Sequence, residues 1–197
     1  GFNEYGILGV GDSDKRSSPT QIPGTSWTTK LNAGGPAFGA IRSDGTLWMW
    51  GRDEYGMLAQ NTANSNSHNN SPLQVPGTNW NSISSGNGSV VATKTDGTLW
   101  CWGRNTDGEL GQGNTTQRSS PVQVPGTTWA NAAVTATRSV IAVKTDATLW
   151  AWGKNEYGQL GLNNKTNYSS PKQVPGLWYA DRIGGDLFST VCLKLED

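Results

Sequence analysis

The chain has 197 residues, which allows one domain or an array of small repeats and excludes a large multidomain enzyme. Fifteen basic residues balance fifteen acidic ones, and only 15% of residues are charged, so the chain has no electrostatic footprint for nucleic acid or anionic lipid. No segment reaches the ~18 apolar residues of a membrane helix, two cysteines are too few for a disulfide scaffold, and a single histidine excludes most His-based catalysis and multi-His metal sites.

Two short motifs appear first in the N-terminal segment and then recur along the chain. A motif of the type Asn-Glu-Tyr-Gly lies at residues 3–6, 53–56, 105–108 and 155–158. A Gln-(Ile/Val)-Pro-Gly motif, preceded by a Ser-Pro step and followed by a tryptophan, begins at Gln21, Gln74, Gln123 and Gln173. Because independent motifs keep one order and a spacing of about 51 residues, they indicate an internal repeat.

A third motif, Thr-Leu-Trp-x-Trp-Gly, occupies residues 46–51, 98–103 and 148–153. Asp44-Gly45 and Asp96-Gly97 precede the first two copies and predict tight hairpin turns, because such a turn needs positive φ at both central positions. Ala147 takes the place of the glycine in the third copy, where it costs ~1 kcal/mol relative to glycine if φ stays positive.

The segments around these turns are short and rich in β-branched and aromatic residues, which predicts strands. Alternation places Leu47 and Met49 on one face of a strand and Trp48 and Trp50 on the other, so both faces are apolar and both must be covered. Stacked propeller blades provide that cover, and no helical stripe of ~12 residues is present. The sequence therefore predicts an all-β fold built from β-propeller blades of four antiparallel strands.

The motifs divide the chain into about four units within a single propeller segment, residues 1–197. We place these units at residues 1–50, 51–102, 103–152 and 153–197, the last one incomplete. Three complete sheets then lie between the outer part of one blade at the N-terminus and the first strand of another at the C-terminus. Since this arrangement exposes strand edges and an apolar blade face, we expect the segment to be part of a larger ring or to complete a ring by association.

The repeat resembles that of the regulator of chromosome condensation family, and its nearest copy runs from residue 139 to residue 161. The resemblance covers the whole chain and implies four-stranded blades, usually seven to a ring. The histidine of the family pattern is replaced by Ala37, Ser89, Ser139 and Ser189, so no role of that histidine is carried over. The second unit also departs from the pattern, because three additional residues fall in a polar stretch at residues 61–70.

Tryptophans could serve as stacking platforms for sugars or bases. Residues placed identically in every unit serve the packing of the unit instead, and we expect Trp50, Trp102 and Trp152 to lie between blades. The predicted repeat core consists of Trp48, Trp50, Trp100, Trp102, Trp150, Trp152, Gly51, Gly103 and Gly153.

A binding site is expected where the repeats differ. The candidate binding loop contains Asn64, Asn66, His68, Asn69 and Asn70. The other variable positions are Lys15-Arg16, Gln117-Arg118 and Asn167-Tyr168, with the turns at residues 34–38, 86–89 and 135–138.

The remaining reactive side chains predict no catalytic residue, cofactor or metal. His68 has no second histidine to pair with, and Cys101 and Cys192 are expected to be small buried residues without a disulfide bond. The Asp12-Ser13-Asp14 segment lacks the glycine and the final glutamate of a calcium loop.

The resemblance implies a non-enzymatic propeller scaffold that binds a protein, or a glycan, with further blades or further copies of itself as additional partners. The polar composition, rich in Asn, Thr, Ser and Gly, favours an extracellular or virion-surface structural protein over a nuclear one. No nucleic-acid binding and no membrane insertion are expected. The alternatives are a guanine-nucleotide exchange factor for a small GTPase, an inhibitor that caps an enzyme's cleft, and a hydrolase.

Overall fold

The computed structural model describes residues 1–32, 35–62, 67–135, 138–185 and 190–194, and in these residues the regular structure is entirely β. None of the described segments forms a helix that could cross a membrane. The strands are β1 (Trp27–Asn32), β2 (Ala37–Arg42), β3 (Leu47–Arg52), β4 (His68–Gln74), β5 (Trp80–Ser85), β6 (Ser89–Lys94), β7 (Leu99–Gly103), β8 (Arg118–Gln123), β9 (Trp129–Val134), β10 (Ser139–Lys144), β11 (Thr148–Gly153), β12 (Tyr168–Gly185) and β13 (Thr190–Lys194).

Three antiparallel sheets follow one another along the chain, and each has four strands in sequence order. They consist of β1–β4, of β5–β8, and of β9–β11 with the first part of β12. The pairing register repeats between the sheets, since Ala40, Ala92 and Ala142 pair with Trp48, Trp100 and Trp150. The predicted all-β fold with four-stranded antiparallel blades is confirmed.

The hairpins between the second and third strands correct one detail of the prediction, because only the second residue of each pair has positive φ and the aspartate before it does not. Gly45 and Gly97 have φ of 77° and 78°, and Ala147 has φ of 65° at the equivalent position. The alanine therefore carries the backbone cost that its sequence position predicts.

The hydrophobic core lies between consecutive sheets. Leu47 and Met49 of the first sheet pack in one buried cluster with Trp80 and Trp102 of the second sheet. Leu99 and Cys101 of the second sheet share the next cluster with Trp152 of the third. Each blade therefore gives its leucine face to the following blade and receives the tryptophan face of that blade.

The C-terminal part of the chain corrects one prediction. The sequence predicts a single strand of a further blade, whereas the structure contains two, because β12 continues past the third sheet and pairs there with β13. Trp178 pairs with Lys194 as Trp80 pairs with Lys94. The Thr-Leu-Trp-x-Trp-Gly motif marks only third strands, so it gives no signal for these two.

Residues 1–26 contain no strand. The segment corresponds to the outer part of a blade, where the fourth strand forms its backbone bonds only with the third strand. The amide of Arg16 donates to the carbonyl of Gly1 at 3.1 Å, and the Gly1 amino group donates back to the carbonyl of Arg16.

The blades have two different ends. We call one the variable end: it carries the turns between first and second strands and the connections after third strands, at residues 53–62, 104–117 and 154–167. Backbone bonds hold these two sets together, for example from the Arg104 amide to the Gly88 carbonyl at 2.9 Å. The repeat end carries the second-to-third-strand hairpins and the Pro-Gly linkers.

Candidate functional site

One buried polar side chain, an asparagine in three of the four units, organises each connection at the variable end. Asn105 accepts a bond from the Leu110 amide at 2.9 Å, and its Nδ2 donates to the carbonyls of Asn114 at 3.1 Å and Thr116 at 2.9 Å. Asn3 and Asn155 form the same type of contacts in their own units. The loop backbone is therefore fixed from inside, which leaves its outward side chains free to differ.

The second unit, which has the longer connection, carries an aspartate at this place. Asp53 accepts a bond from the Leu58 amide at 2.8 Å and a further one from the Thr62 side chain, but a carboxylate has no hydrogen to donate to the loop carbonyls. The side chain is buried, and burial raises the pKa of Asp53 above its ordinary value. The change from asparagine to aspartate thus accompanies the insertion.

Arginine–tyrosine contacts join consecutive units on the surface of this end. The guanidinium of Arg52 lies 5.0 Å from the ring centroid of Tyr5, and that of Arg104 lies 5.1 Å from that of Tyr55. Arg52 also pairs with Glu54 at 3.1 Å. The His68 ring meets the Tyr5 ring edge to face, with centroids 6.4 Å apart.

The third unit replaces this stacking pattern. Asp107 stands where the first two units have tyrosine, and it accepts bonds from Arg138 at 3.1 Å and Asn167 at 3.4 Å. Tyr157 follows in the fourth unit, and 64% of its surface is exposed. The variable end therefore presents a different combination of aromatic and charged groups at Asp107 of the third unit than at Tyr5 and Tyr55 of the first two.

The predicted binding loop is only partly within the described residues. Asn64 and Asn66 lie outside them. His68, Asn69 and Asn70 are described, but they belong to strand β4 rather than to a loop, because His68 and Asn69 pair with Arg52 and Gly51 of β3.

These three residues have different surroundings. His68 is exposed. Asn69 accepts a bond from the Ser71 amide at 3.0 Å. The backbone of Asn70 lies directly against Gly6, as that of Ser119 lies against Gly56. Asn70 therefore occupies a packing position that recurs in another unit. His68, in contrast, lies at the surface, with its ring against that of Tyr5.

The tryptophans of the third strands occupy two environments. The side chains of Trp50, Trp102 and Trp152 are buried and donate their Nε1–H to carbonyl oxygens of Ile7, Met57 and Glu109 at 2.9, 2.7 and 2.8 Å. We call the pocket around each of these carbonyls an indole socket. Trp48, Trp100 and Trp150 lie half-buried at the repeat end and donate to Thr46, Thr98 and Thr148. Neither set offers an open stacking platform.

The glycines after these tryptophans have a steric role. Gly51, Gly103 and Gly153 adopt φ between 95° and 98°. A side chain at Gly103 would overlap the carbonyl oxygen of Gly88, and one at Gly153 would overlap that of Arg138. The third strand therefore approaches the preceding turn more closely than any other residue allows.

The two cysteine thiols lie away from the variable-end surface contacts, in apolar surroundings. Cys101 is fully buried, and burial raises the pKa of its thiol far above the ordinary range, while Cys192 is half-buried and its pKa is also raised by burial. Both are free thiols. Within the described ranges, no three His, Cys, Asp or Glu side chains come together as a metal site.

Comparison with known proteins supports the repeat assignment. The family model described as "Regulator of chromosome condensation (RCC1) repeat" matches residues 44–93, 96–137 and 146–179. The human E3 ubiquitin-protein ligase HERC2 is 31% identical over 120 residues, which are 58% of this chain and 2% of that protein. The ultraviolet-B receptor UVR8 of Arabidopsis thaliana is 28% identical over 124 residues, which are 60% of this chain and 28% of that protein.

Two solved structures share the fold. Human WBSCR16 superposes with a TM-score of 0.85 at 24% identity, over 100% of this chain and 52% of that one. Prp20p of Saccharomyces cerevisiae superposes with a TM-score of 0.71 at 17% identity, over 85% of this chain and 44% of that one. The chain thus spans about half the length of these two structures.

Proposed function

Because the chain belongs to the regulator of chromosome condensation (RCC1) repeat family, we propose that it is a non-enzymatic β-propeller scaffold that binds a protein partner through its variable end. The observation that carries this proposal is the contrast between the ends of the blades. The repeat end forms the same type of side-chain contact in each of its three hairpins, whereas the variable end presents side chains that differ between units on a common backbone frame.

The chemistry of the variable end fits a protein surface. Tyrosine and arginine, together with tryptophan, contribute most to protein–protein interfaces, because they combine large apolar area with hydrogen-bonding groups. Tyr5, Arg52, Tyr55 and Arg104 lie at this end, and Tyr157 adds an exposed ring. Their stacking contacts hold the side chains in place before binding, which lowers the entropy cost of association.

The charges of the variable end favour contact over long-range attraction. Arg52, Arg138 and Lys154 each pair with an acidic side chain, at 3.1, 3.1 and 3.0 Å. A surface with paired charges gives little field to steer a polyanion. We therefore propose a protein partner rather than a nucleic acid. A glycan is the second ligand class to test, since Tyr157 offers a ring for stacking.

Exchange activity on a small GTPase is the alternative function within this family. The Prp20p structure was reported together with binding of that protein to Gsp1p and histones. At 17% identity to this chain, the likeness supports a shared fold and not a shared partner. Release of labelled nucleotide from a panel of small GTPases tests this alternative. The comparisons give no support to a virion-surface or extracellular role.

The scaffold proposal is tested with matched bait proteins. One bait carries His68→Ser and Tyr157→Ser at the variable end, and its control carries Thr78→Ala and Thr127→Ala at exposed positions of the repeat end. Each bait captures proteins from a cell extract, and cross-linking with mass spectrometry maps the contact.

We expect a partner that the wild-type chain and the control retain, that the variable-end bait loses, and whose cross-links fall on the variable end. Partners that cross-link to the repeat end, or that bind all three baits equally, would refute the proposal. If the chain bound a glycan array and captured no protein, a glycan would replace the protein as the proposed partner.

A further inference from the structure

The variable end pairs a cation with a glutamate two residues later in two of its units. The guanidinium of Arg52 lies 3.1 Å from the Glu54 carboxylate, and the ammonium of Lys154 lies 3.0 Å from the Glu156 carboxylate. Both cations directly follow the Trp-Gly step of a third strand, and both glutamates directly follow the buried organising residue. In these units the connection therefore neutralises the cation at its own start.

The third unit keeps the cation but not the glutamate. Thr106 stands at the glutamate position, and Arg104 donates its Nε–H to the Thr106 hydroxyl oxygen at 3.0 Å. A hydroxyl carries no charge, so this bond leaves the charge of the guanidinium unbalanced. Arg104 therefore lacks the carboxylate that the repeat provides at this position.

The two acidic side chains of the same connection are engaged elsewhere. Asp107 accepts bonds from Arg138 at 3.1 Å and from Asn167 at 3.4 Å. Glu109 is fully buried, and its Oε2 accepts the amide of Asp107. The charge of Arg104 acts on Glu109 through space, but burial outweighs it and raises the pKa of Glu109. The connection thus supplies no carboxylate that pairs with Arg104.

The Arg104 side chain is held in place in the free protein. Its guanidinium lies 5.1 Å from the centroid of the Tyr55 ring, and the bond to Thr106 fixes its Nε–H. Its two terminal nitrogens make no hydrogen bond within the described ranges. Because an arginine can present two parallel N–H groups to the two oxygens of a carboxylate, a side chain that is already oriented loses little entropy when it forms this pair.

A second arginine adds positive charge beside Arg104. Arg118 begins β8, is exposed and pairs in register with Gly103, the residue directly before Arg104. The first and third sheets have Asn69 and Tyr168 at this register position. Neither arginine takes part in an ion pair in the part of the chain that the structure describes. This side of the second sheet therefore carries positive charge that its own residues do not neutralise.

We propose that Arg104 anchors a carboxylate of the protein partner, from an aspartate or glutamate side chain that takes the place of the missing glutamate. This inference deepens the proposed function and rests on it, since the partner is the protein bound at the variable end. The carboxylate accepts two hydrogen bonds from the terminal nitrogens of Arg104, and Arg118 adds attraction. A carboxylate fits better than a phosphate, because sites that recognise phosphoryl groups gather several arginines around one anion.

The test supplies the missing carboxylate from within the chain. Thr106→Glu restores the pattern of the second and fourth units, so the new side chain neutralises Arg104 and competes with the ligand, while Thr106→Gln is the neutral control of the same size. The probe is a phage-displayed library of short random peptides, selected on the full wild-type chain. We expect the selected peptides to share an aspartate or glutamate at one position.

Synthetic copies of a selected peptide are then measured by isothermal titration calorimetry. We expect binding at least about tenfold weaker to Thr106→Glu and within about twofold of wild type to Thr106→Gln. Changing the shared acid of the peptide to its amide should weaken binding to the wild-type chain at least about tenfold. The same change should cost less than about twofold against Arg104→Gln, where the pair is already broken. Circular dichroism verifies that each variant folds.

Four results would overturn the anchor. They are selected peptides without a shared acid, equal binding to the wild-type and Thr106→Glu chains, an amide effect of the same size against Arg104→Gln, and binding at least about tenfold tighter when phosphoserine replaces the shared acid. Failure of the proposed function is distinguishable by cross-linking. Peptides that cross-link to the repeat end would count against that function, whereas peptides that cross-link to the variable end but tolerate Thr106→Glu would overturn the anchor alone.

Discussion

The two ends of the blades share one backbone arrangement, but side-chain contacts recur from unit to unit at one end and change at the other. At the repeat end, each hairpin aspartate accepts a bond from a threonine hydroxyl, and that threonine accepts the N–H of a tryptophan; the sets are Asp44–Thr46–Trp48, Asp96–Thr98–Trp100 and Asp146–Thr148–Trp150. At the variable end only the buried organising side chain is retained, and surface contacts change from unit to unit.

The contrast between the two ends shows which positions of the sequence are constrained by packing. A cation sits between two tryptophan rings at the repeat end, as with Lys94, whose Nζ lies 4.7 Å from the centroids of both Trp80 and Trp100. Arg42 and Lys144 do the same in their units. Repeated chemistry of this type holds sheets together, so function is to be sought at the other end, where the same space holds Tyr5 in one unit and Asp107 in another.

The largest effect is expected from a repeated contact, Trp102→Ala. The substitution leaves a cavity between the first and second sheets and removes the bond to the Met57 carbonyl. We expect a loss of about 3–5 kcal/mol in the free energy of unfolding, measured by urea denaturation. A loss below about 1 kcal/mol would contradict the placement of this side chain between blades.

The sequence predicts the repeated part of the molecule and not the variable part, for a physical reason. Packing demands recur with the period, so Trp50, Trp102 and Trp152 could be recognised as one class from their motif. Contacts such as Arg138 with Asp107 join residues 31 positions apart at places where the repeats differ, and no pattern in the sequence specifies them.

The stacking contacts of the variable end had only a weak sequence signal. Each arginine of the type Arg52 or Arg104 directly follows the Trp-Gly step, one unit after the tyrosine it covers. Only a structure that places consecutive units side by side turns this spacing into a contact. For the same reason the sequence could not show that His68 starts a strand, because its partner Arg52 is set by the register of β3 and β4.

A medium effect, with a pH dependence, is expected from Glu109→Gln. Glu109 is fully buried, its Oε2 accepts the amide of Asp107 at 2.8 Å, and its Oε1 has no partner. Burial raises the pKa of Glu109, so the folded protein binds the proton more tightly than the unfolded chain does. Ionisation of Glu109 therefore lowers the free energy of unfolding. This loss of stability is absent below the ordinary pKa and grows as pH rises through the raised pKa.

Gln159 shows that the amide fits the same place, since its Oε1 accepts the Tyr157 amide at 3.0 Å. We therefore expect Glu109→Gln to stabilise the protein by about 1 kcal/mol at pH 7 and by less as pH falls toward 4.5, in urea titrations at both pH values. Aspartates of the repeat end have the opposite sign, because threonine hydrogen bonds lower the pKa of Asp44, Asp96 and Asp146. A gain that is independent of pH would show that the pKa of Glu109 is the same in the folded and unfolded chain, which would contradict the effect of burial.

A smaller effect is expected at the third hairpin of the repeat end, which has an alanine in place of the turn glycine. Ala147 adopts φ of 65° where the other units have glycine. Ala147→Gly relieves the left-handed backbone but increases the entropy of the unfolded chain, so we expect a change between zero and a gain of about 1 kcal/mol. Gly97→Ala is the matched reverse substitution and should destabilise. Thermal melts of both variants measure the pair, and a clear loss for Ala147→Gly would contradict this account of the turn.

The smallest effect on stability is expected at the variable end, from Tyr157→Ser. With 64% of its surface exposed, the side chain buries little area on folding, and surface substitutions of this kind change the free energy of unfolding by less than about 0.5 kcal/mol. Urea denaturation beside Trp102→Ala gives the comparison directly. If Tyr157→Ser cost as much as the core substitution, the variable end would be part of the packing, and its differences between units could not be read as freedom to bind. A small cost together with loss of a captured partner would separate stability from recognition at a single residue.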